Sequence, residues 1–513
     1  MKNTLTIALF LSIGIQAVAQ VPEDVLRLSW HAPSGTARNQ AIGGAGGSLG
    51  GEITSMFINP AGLGFYKVSE IVLTPGFTLA HSTGEYRGTE ASSDHVNRFN
   101  ISTSGFVSAT SDPGSKWVSK AFSIAVNRTA NFNNTTYYKG NNDHSSYSEQ
   151  FADEFSQSGV AINDVRYSPY LSLGTKMAIY TYLIDTATIG GSLQVVGRPE
   201  YLNSVNQEQK TTTRGGITEL AIGFAGNNQD KFYIGGSVGV PIVKYERRLT
   251  FTESDPNKDV TNNFGFSRYE EKLTTTGVGL NAKLGIIFKP VPNVRAGVAI
   301  HTPTLYGLKD KLWTKMVTDV EKLFGPNDPG VDSITSDYYG REPIYKYNLS
   351  TPWKFIVSGT YIINAVEDVT QQVGFITADA EYVTYGSSRL SSAEDNANDD
   401  SYYEGVNKVV KQMYKSAFNF RVGGELKLNP FMVRLGYAHY GNPYEDEVLK
   451  AGKHVLSGGL GYRDKGVFID LTYVHTIIND VNFPYRVAPP KQNTYADLKS
   501  QIGQILLTFG FKL

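Results

Sequence analysis

The chain of 513 residues contains no cysteine, which excludes a disulfide framework, a thiolate nucleophile and cysteine-based metal sites. It also lacks any run of about 18 apolar residues, the length that a membrane-crossing helix requires. An excess of one charge is missing too. Its 47 basic and 48 acidic residues leave a net charge of −1, which offers no basis for holding nucleic acid. The 8 histidines are scattered, and no H-E-x-x-H occurs. Glu445, Asp446 and Glu447, near His439 and His454, form the nearest approach to a metal cluster and read as a solvated acidic loop. No metal and no other cofactor is expected. Two G-x-S-x-G matches begin at Gly46 and Gly235, but a nucleophile elbow needs strand, sharp turn and helix. The first match lies in a glycine cluster and the second in the middle of a strand. Among 52 glycines such matches arise by chance, and no enzyme is expected.

What is present begins with a leader. Lys2 gives a positive start, Leu5 to Ile15 is apolar, and Ala17-Val18-Ala19 supplies small residues before Gln20. Residues 1–19 are therefore expected to be a signal peptide, and the absence of cysteine suits an exported protein.

The mature chain alternates apolar and polar side chains with the period of a strand. Over 418–428, Phe418, Phe420, Val422, Leu426 and Leu428 share one face, while Asn419, Arg421, Glu425 and Lys427 share the other. The same alternation runs through 278–289 and 375–382. Strands are predicted at 68–80, 97–110, 117–130, 208–226, 231–252, 268–289, 294–306, 341–363, 371–386, 413–428, 430–441, 453–464, 466–477 and 501–513. That is about 14, an even number, as closure of a bacterial single-chain barrel requires. Alternation alone would also fit a sandwich, whose apolar faces bury one another. The connections favour a barrel, because short ones (such as 429 and 465) alternate with long ones (such as 131–207, 387–412 and 478–499). An outer-membrane barrel sorts its connections this way, with short periplasmic turns and long extracellular loops. The final strand alternates Ile505, Leu507, Phe509, Phe511 and Leu513 to the end of the chain. The predicted fold is all-β: a transmembrane antiparallel β-barrel of about 14 strands, spanning 67–513.

Residues 20–66 precede the first strand and are not strand-like. They hold a glycine cluster, Gly43-Gly44-Ala45-Gly46-Gly47 with Gly50-Gly51, followed by the turn chemistry of Asn59-Pro60-Ala61-Gly62. A 14-stranded barrel is too wide for its own side chains to fill, so about 45 residues placed inside would stopper it. A periplasmic tail is the other reading of this segment.

The stretch Gly35-Thr36-Ala37-Arg38, the Gly43–Gly51 cluster and Asn59-Pro60-Ala61-Gly62-Leu63 resemble the N-terminal hatch of the FadL/TodX (OMPP1) family, in its Bacteroidetes-type branch. Thr213-Arg214-Gly215-Gly216-Ile217-Thr218-Glu219 and Leu349-Ser350-Thr351-Pro352-Trp353-Lys354 are similar to that family as well. The resemblance implies a 14-stranded outer-membrane barrel with an N-terminal hatch inside the lumen. It implies Gly46, Gly47, Asn59, Pro60, Ala61 and Gly62 as the hatch motif. It also implies passive uptake of long-chain fatty acids, aromatic hydrocarbons or similar compounds into a Gram-negative cell. In such proteins loops collect the ligand, a lumenal pocket holds it, and an inward kink of the third strand releases it sideways. Residues 117–130 contain no glycine or proline that marks a kink.

Two further groups of residues are candidates. Phe151 and Phe155 over 148–157, and Leu312, Val320 and Phe324 over 308–324, stand near helical spacing in long loops, with a weaker helix at 402–414. Such helices either pack over the mouth or form an extracellular capture site. Arg421 and Lys283 should face the lumen, where each either contacts a carboxylate-headed ligand or pairs with another inward charge. The partners expected are a hydrophobic small molecule and outer-membrane lipids, with the chain acting as a monomer. A scaffold protein of a secretion or surface-assembly system, and an open porin-like channel, are the alternative functions.

Overall fold

The computed structural model describes residues 22–327, 330–340, 343–365, 372–394, 397–488 and 491–513. The expected signal peptide lies outside the described residues.

Fourteen antiparallel strands close into a barrel. In chain order they are β1 (Glu70–Leu73, Pro75–Tyr86), β2 (Val96–Ile101, Ser104–Ser111), β3 (Trp117–Asn131, Asn134–Asn142) and β4 (Val205–Asn228). Next come β5 (Phe232–Ser254), β6 (Phe266–Val291), β7 (Val294–His301, Leu305–Asp319) and β8 (Ile344–Ser350, Lys354–Ile363). The last six are β9 (Gly374–Val383), β10 (Ala417–Leu428), β11 (Phe431–Tyr440), β12 (Gly452–Asp464), β13 (Val467–Asn482) and β14 (Ala496–Lys512). Each strand pairs with its sequence neighbours. Closure comes from β14 against β1, with Leu73 opposite Phe509 and Gly76 opposite Leu506.

The side-chain alternation explains why the sheet closes in lipid. On β5, Phe232, Ile234, Val238 and Ile242 are exposed, whereas Tyr233, Ser237 and Val243 point inward and are buried. No second layer covers the outward face, so these apolar groups meet acyl chains. Ten residues at about 3.4 Å each, tilted by about 40°, span roughly 25 Å, the height of an outer-membrane apolar belt. Above Ile242 the outward residues of β5 turn polar, beginning with Lys244.

The short connections lie at one end and the long ones at the other, as the sequence predicts. The stretch 308–324 departs from expectation. It is not helical: Leu305–Asp319 continues β7 as a strand, and residues 321–324 form a turn. Above the belt the buried face of the strand is the inward one. There Leu308 packs with Leu26 and Trp30 of the N-terminal segment, while Lys309 and Lys311 point out to solvent. An apolar face that switches sides leaves Leu308 and Leu312 four apart, which imitates helical spacing.

The helix expected at 148–157 is present as Glu149–Ser158, and the one near 402–414 as Ala397–Met413. With Leu173–Tyr180 and a small hairpin (Ile184–Ile189, Ser192–Gly197), the first of these builds a cap above the barrel. The cap has its own core of Tyr147, Phe151, Met177, Leu183, Phe251 and Tyr485.

Candidate functional site

Residues 22–66 lie inside the barrel and run from its mouth, the end of the long connections, to the rim at the end of the short ones. At the mouth Val25, Leu26, Leu28 and Trp30 share a core with Tyr403, Val406 and Val410 of the helix Ala397–Met413. At the rim Phe65 stacks on Tyr233, near the start of β5, with ring centroids 3.7 Å apart. Between these ends the segment is fastened to inward-facing strand residues. Thr36 caps the short helix Ala37–Ala41, its hydroxyl accepting from the Asn39 amide at 3.2 Å and donating to Glu52 at 2.6 Å. The Ala37 amide donates to Thr508 (2.7 Å), and Thr472 donates to the Ala37 carbonyl (2.7 Å).

The predicted hatch residues form one buried unit. The Asn59 amide group donates to the Gly47 carbonyl at 2.6 Å and accepts from the Ala61 amide at 3.1 Å, joining the glycine cluster to the turn that begins at Pro60. The amides of Gly46 and Gly47 point at the Asp379 carboxylate of β9, at 3.0 and 3.2 Å. A β-carbon on Gly62 would lie 2.7 Å from that of Ser55. The barrel wall makes room in turn. A β-carbon at Gly235 would stand 2.5 Å from the Pro60 backbone, and one at Gly436 only 2.0 Å from the Gly43 amide nitrogen. The sequence does not reveal this close approach at either wall glycine. Gly235 is the opening residue of the second G-x-S-x-G match, so its role is close approach of two backbones and not catalysis.

Inward charges are paired across strands. Arg38 of the N-terminal segment meets Glu425 at 3.1 Å, Glu425 meets Arg434 at 2.6 Å, and Arg434 meets Asp470 at 2.6 Å. Arg421 lies 3.1 Å from Glu381 and 3.8 Å from Asp379. Lys283 is paired with Glu219 and also donates to Asn281 at 2.7 Å. Both proposed ligand contacts therefore face the lumen, and each is engaged by carboxylates.

Between the N-terminal segment and the wall lies a cavity of about 140 Å3. Leu28, Ile217, Ile356 and Val474 give it an apolar side, while Lys283, Lys354, Glu381 and Arg421, with His301 beside them, give it a charged one. Among the described residues Lys354 has no carboxylate within 4 Å, which distinguishes it from Lys283 and Arg421. The sequence reading missed Lys354, although it ends one of the segments that resemble the family. The volume suits about ten water molecules and falls short of a drug-sized ligand site.

The wall beside this cavity is interrupted. β2 pairs with β3 from Ser111 opposite Ser119 up to Ser104 opposite Val126, and among the described residues the pairing stops there. The upper part of β2, Val96–Ile101, pairs with β1 alone and has no buried residue on either face, Phe99 being 66% exposed. β3 breaks at Phe132-Asn133 and turns inward. Asn131 donates to Thr78 at 3.1 Å, and Asn134 donates to Ser500 at 3.0 Å, both being lumen-facing residues of β1 and β14. The kink is absorbed in the neighbouring strand. Gly215 of β4 has φ +103°, its carbonyl accepts from Phe132 (3.1 Å) and Arg128 (2.6 Å), and a β-carbon there would meet the Lys244 carbonyl at 2.0 Å. The sequence signal was thus in Thr213-Arg214-Gly215-Gly216, not in β3 itself. Asn127 and Thr129, just below the break, also line the cavity.

At the mouth, Phe151 points into the cap core, its ring 5.1 Å from Tyr147, and Phe155 packs half-buried against the same core. Val320 is buried beyond the end of β7, and Phe324 is exposed with its ring 4.7 Å from Tyr182. With Leu312 in a strand, the second expected capture helix does not exist.

No family model matches the chain, and no curated protein does. Solved structures do. The P. putida toluene transporter TodX superposes with a TM-score of 0.53 at 13% identity, covering 94% of this chain and 99% of that one. A Pseudomonas aeruginosa FadL homologue superposes with a TM-score of 0.52 at 14% identity, covering 94% and 99%. The likeness is one of fold: the chain has the FadL/TodX barrel architecture along nearly its whole length.

Proposed function

We propose that this FadL/TodX-fold barrel is a non-enzymatic outer-membrane protein of a Gram-negative cell that takes up hydrophobic small molecules by passive diffusion. Long-chain fatty acids, aromatic hydrocarbons and similar compounds are the class. Residues 20–66 act as its hatch, following a signal peptide at 1–19. The observation that carries this reading is the contact between the lumenal cavity and the interrupted wall: Asn127 and Thr129 belong to both. An apolar solute leaving the cavity there enters lipid directly and never crosses the periplasm as a free aqueous species. The cavity's mixed lining suits a ligand with an apolar body and a polar head, for which Lys354, Lys283 and Arg421 are the candidate contacts. At 140 Å3 it admits such a ligand only when the hatch shifts, so hatch movement is part of the cycle. The route lies within one barrel, and a monomer suffices.

The test is uptake of labelled fatty acid and labelled monoaromatic compound by cells with and without the protein. Faster uptake of either supports the reading. Uptake of both compounds that is the same with and without the protein, its presence at the cell surface being verified, would overturn it.

A further inference from the structure

The outward face of the barrel changes character abruptly above the apolar belt on β4 to β7. Ile242 and Val278 are its last exposed large apolar residues on β5 and β6, and Leu305 on β7; higher on the same face only half-buried ones follow, with Trp313 of β7 opposite Lys272. Directly above the exposed ones stand Lys244 on β5 and Lys309 on β7, both facing Thr276 of the intervening β6. Two rows higher Arg248 of β5 is directly opposite Lys272 of β6. All four cations are exposed, and among the described residues none has a carboxylate within 4 Å. Glu246 and Glu270 share the terrace, but they stand opposite Arg214 and Lys315, which leaves the four in surplus.

Like charges directly opposite in a ladder repel, with Cα atoms about 5 Å apart. Glu246 and Glu270 are the diagonal neighbours of this pair, but neither lies within 4 Å of Arg248 or Lys272, so an external anion is the counter-charge that fits between them. The position says which one. Residues just above the belt on the long-loop side meet the headgroups of the outer leaflet, not bulk solvent. At the same height on the opposite wall the outward residues are His439 opposite His454 on β11 and β12, and His81 opposite Gln501 on β1 and β14. The cationic surplus is therefore one-sided, as a docking site requires and a general interface does not.

We infer that the outward terrace formed by Lys244, Arg248, Lys272 and Lys309 binds the phosphate groups of a phosphorylated glycolipid of the outer leaflet. Arg248 and Lys272 grip one phosphate by charge-assisted hydrogen bonds, and Lys244 with Lys309, two strands and roughly 10 Å apart, hold the flanking anionic group. This rests on the outer-membrane orientation proposed above, but not on transport.

The experiment is native mass spectrometry of the full-length protein in detergent, with bisphosphorylated lipid A, dephosphorylated lipid A and inorganic phosphate as probes. The expected result is retention of bisphosphorylated lipid A alone. In the variant K244Q/R248Q/K272Q/K309Q retention falls by about tenfold or more, each cation near an anionic lipid surface being worth several-fold. The pair R248Q/K272Q falls by a smaller factor and serves if the quadruple variant folds poorly, judged by heat-modifiable electrophoretic mobility. K408Q/K411Q, on the exposed side of the helix Ala397–Met413, keeps wild-type retention. Equal retention of both lipids, retention unchanged in the pair variant, or competition by inorganic phosphate at the lipid's own concentration would each overturn the assignment. An acidic protein retained in place of the lipid would do the same. Uptake is not read, so this inference and the transport reading fail separately.

Discussion

The Arg38 guanidinium reaches from the N-terminal segment to Glu425 on β10, 3.1 Å away; Glu425 is buried and the Arg38 side chain is 12% exposed. Glu425 also holds Arg434, so it is the shared acid between two cations. Taking ions out of water costs about as much as their attraction returns, so the pair contributes little net stability. Removing one partner from such a pair leaves an unpaired buried charge at about 3–5 kcal/mol. Glu425→Gln leaves Arg38 facing a neutral amide and weakens Arg434's site, whereas Arg38→Gln leaves Glu425 still paired. The glutamate variant should therefore loosen the hatch more, read as the larger rise in single-channel conductance in planar bilayers. Equal conductance of both variants and wild type would show that this contact does not hold the hatch.

Gly436 supplies a steric counterpart. A β-carbon there would lie 2.0 Å from the Gly43 nitrogen, and backbone cannot move aside as a flexible side chain can. Gly436→Val should keep a folded, heat-modifiable barrel and displace the hatch, with raised conductance and faster proteolysis of residues 22–60. Gly359, whose β-carbon would meet nothing within 4 Å, is the control: Gly359→Ala should change neither measurement.

Deleting residues 20–60 takes the argument to its limit. The strands begin at Glu70, and many of the wall residues freed by deletion are hydroxyls and paired charges that water can solvate, beside apolar ones such as Leu308. The expected product is a folded barrel with larger conductance. Unchanged conductance would mean that this segment does not obstruct the lumen.

The strand plan was legible because the belt has period 2 and the connections are sorted by length. The segments read from 208–226, 231–252, 268–289 and 453–464 match β4, β5, β6 and β12 to within a few residues. What failed has a physical cause in each case. β7 above the belt turns its apolar face from lipid to the lumen, so Leu308 and Leu312 mimicked a helix. Inward charge was legible on each strand, but which charges meet was not. Arg421 stands directly opposite Asp379 because of the β9–β10 register, which neither strand specifies alone. The break in β3 was invisible in β3, since the residue that accommodates it, Gly215, is on β4.

The foot of the wall gap can be closed chemically. Thr103, at the bend of β2, donates to Asn127 of β3 at 2.9 Å, one step beyond the last paired residues Ser104 and Val126. The next step of an antiparallel ladder holds Cα atoms about 4.5–5.5 Å apart, within disulfide reach. The chain has no native cysteine to compete. In Thr103→Cys with Asn127→Cys, oxidation should slow uptake of a labelled hydrophobic compound several-fold, and reduction should restore it. Uptake indifferent to oxidation, with the crosslink verified by mass, would place the exit elsewhere.

The cap carries a pH response in Glu253, near the top of β5 and well above the belt. Its carboxyl is fully buried, accepting from Gln207 (2.6 Å), Ser146 (2.7 Å) and the Tyr147 amide (3.2 Å). Burial outweighs these donors and pushes its pKa from 4.5 up to about 7. A folded-state value above the unfolded one means the folded cap binds the proton more tightly. The contribution to stability is then complete below 4.5 and is lost as pH rises through about 7. Amide hydrogen exchange over 145–152, corrected for its intrinsic pH dependence, should report more frequent opening at about pH 8 than at about pH 5. Glu253→Gln keeps a neutral group of the same shape, so protection in that variant should be nearly flat with pH. On the uptake route proposed above, the ligand passes the cap to reach the lumen, so uptake by the wild type should rise over the same interval and that of the variant should not. Protection in the wild type that is flat, or that increases with pH, would remove Glu253 as the controlling group.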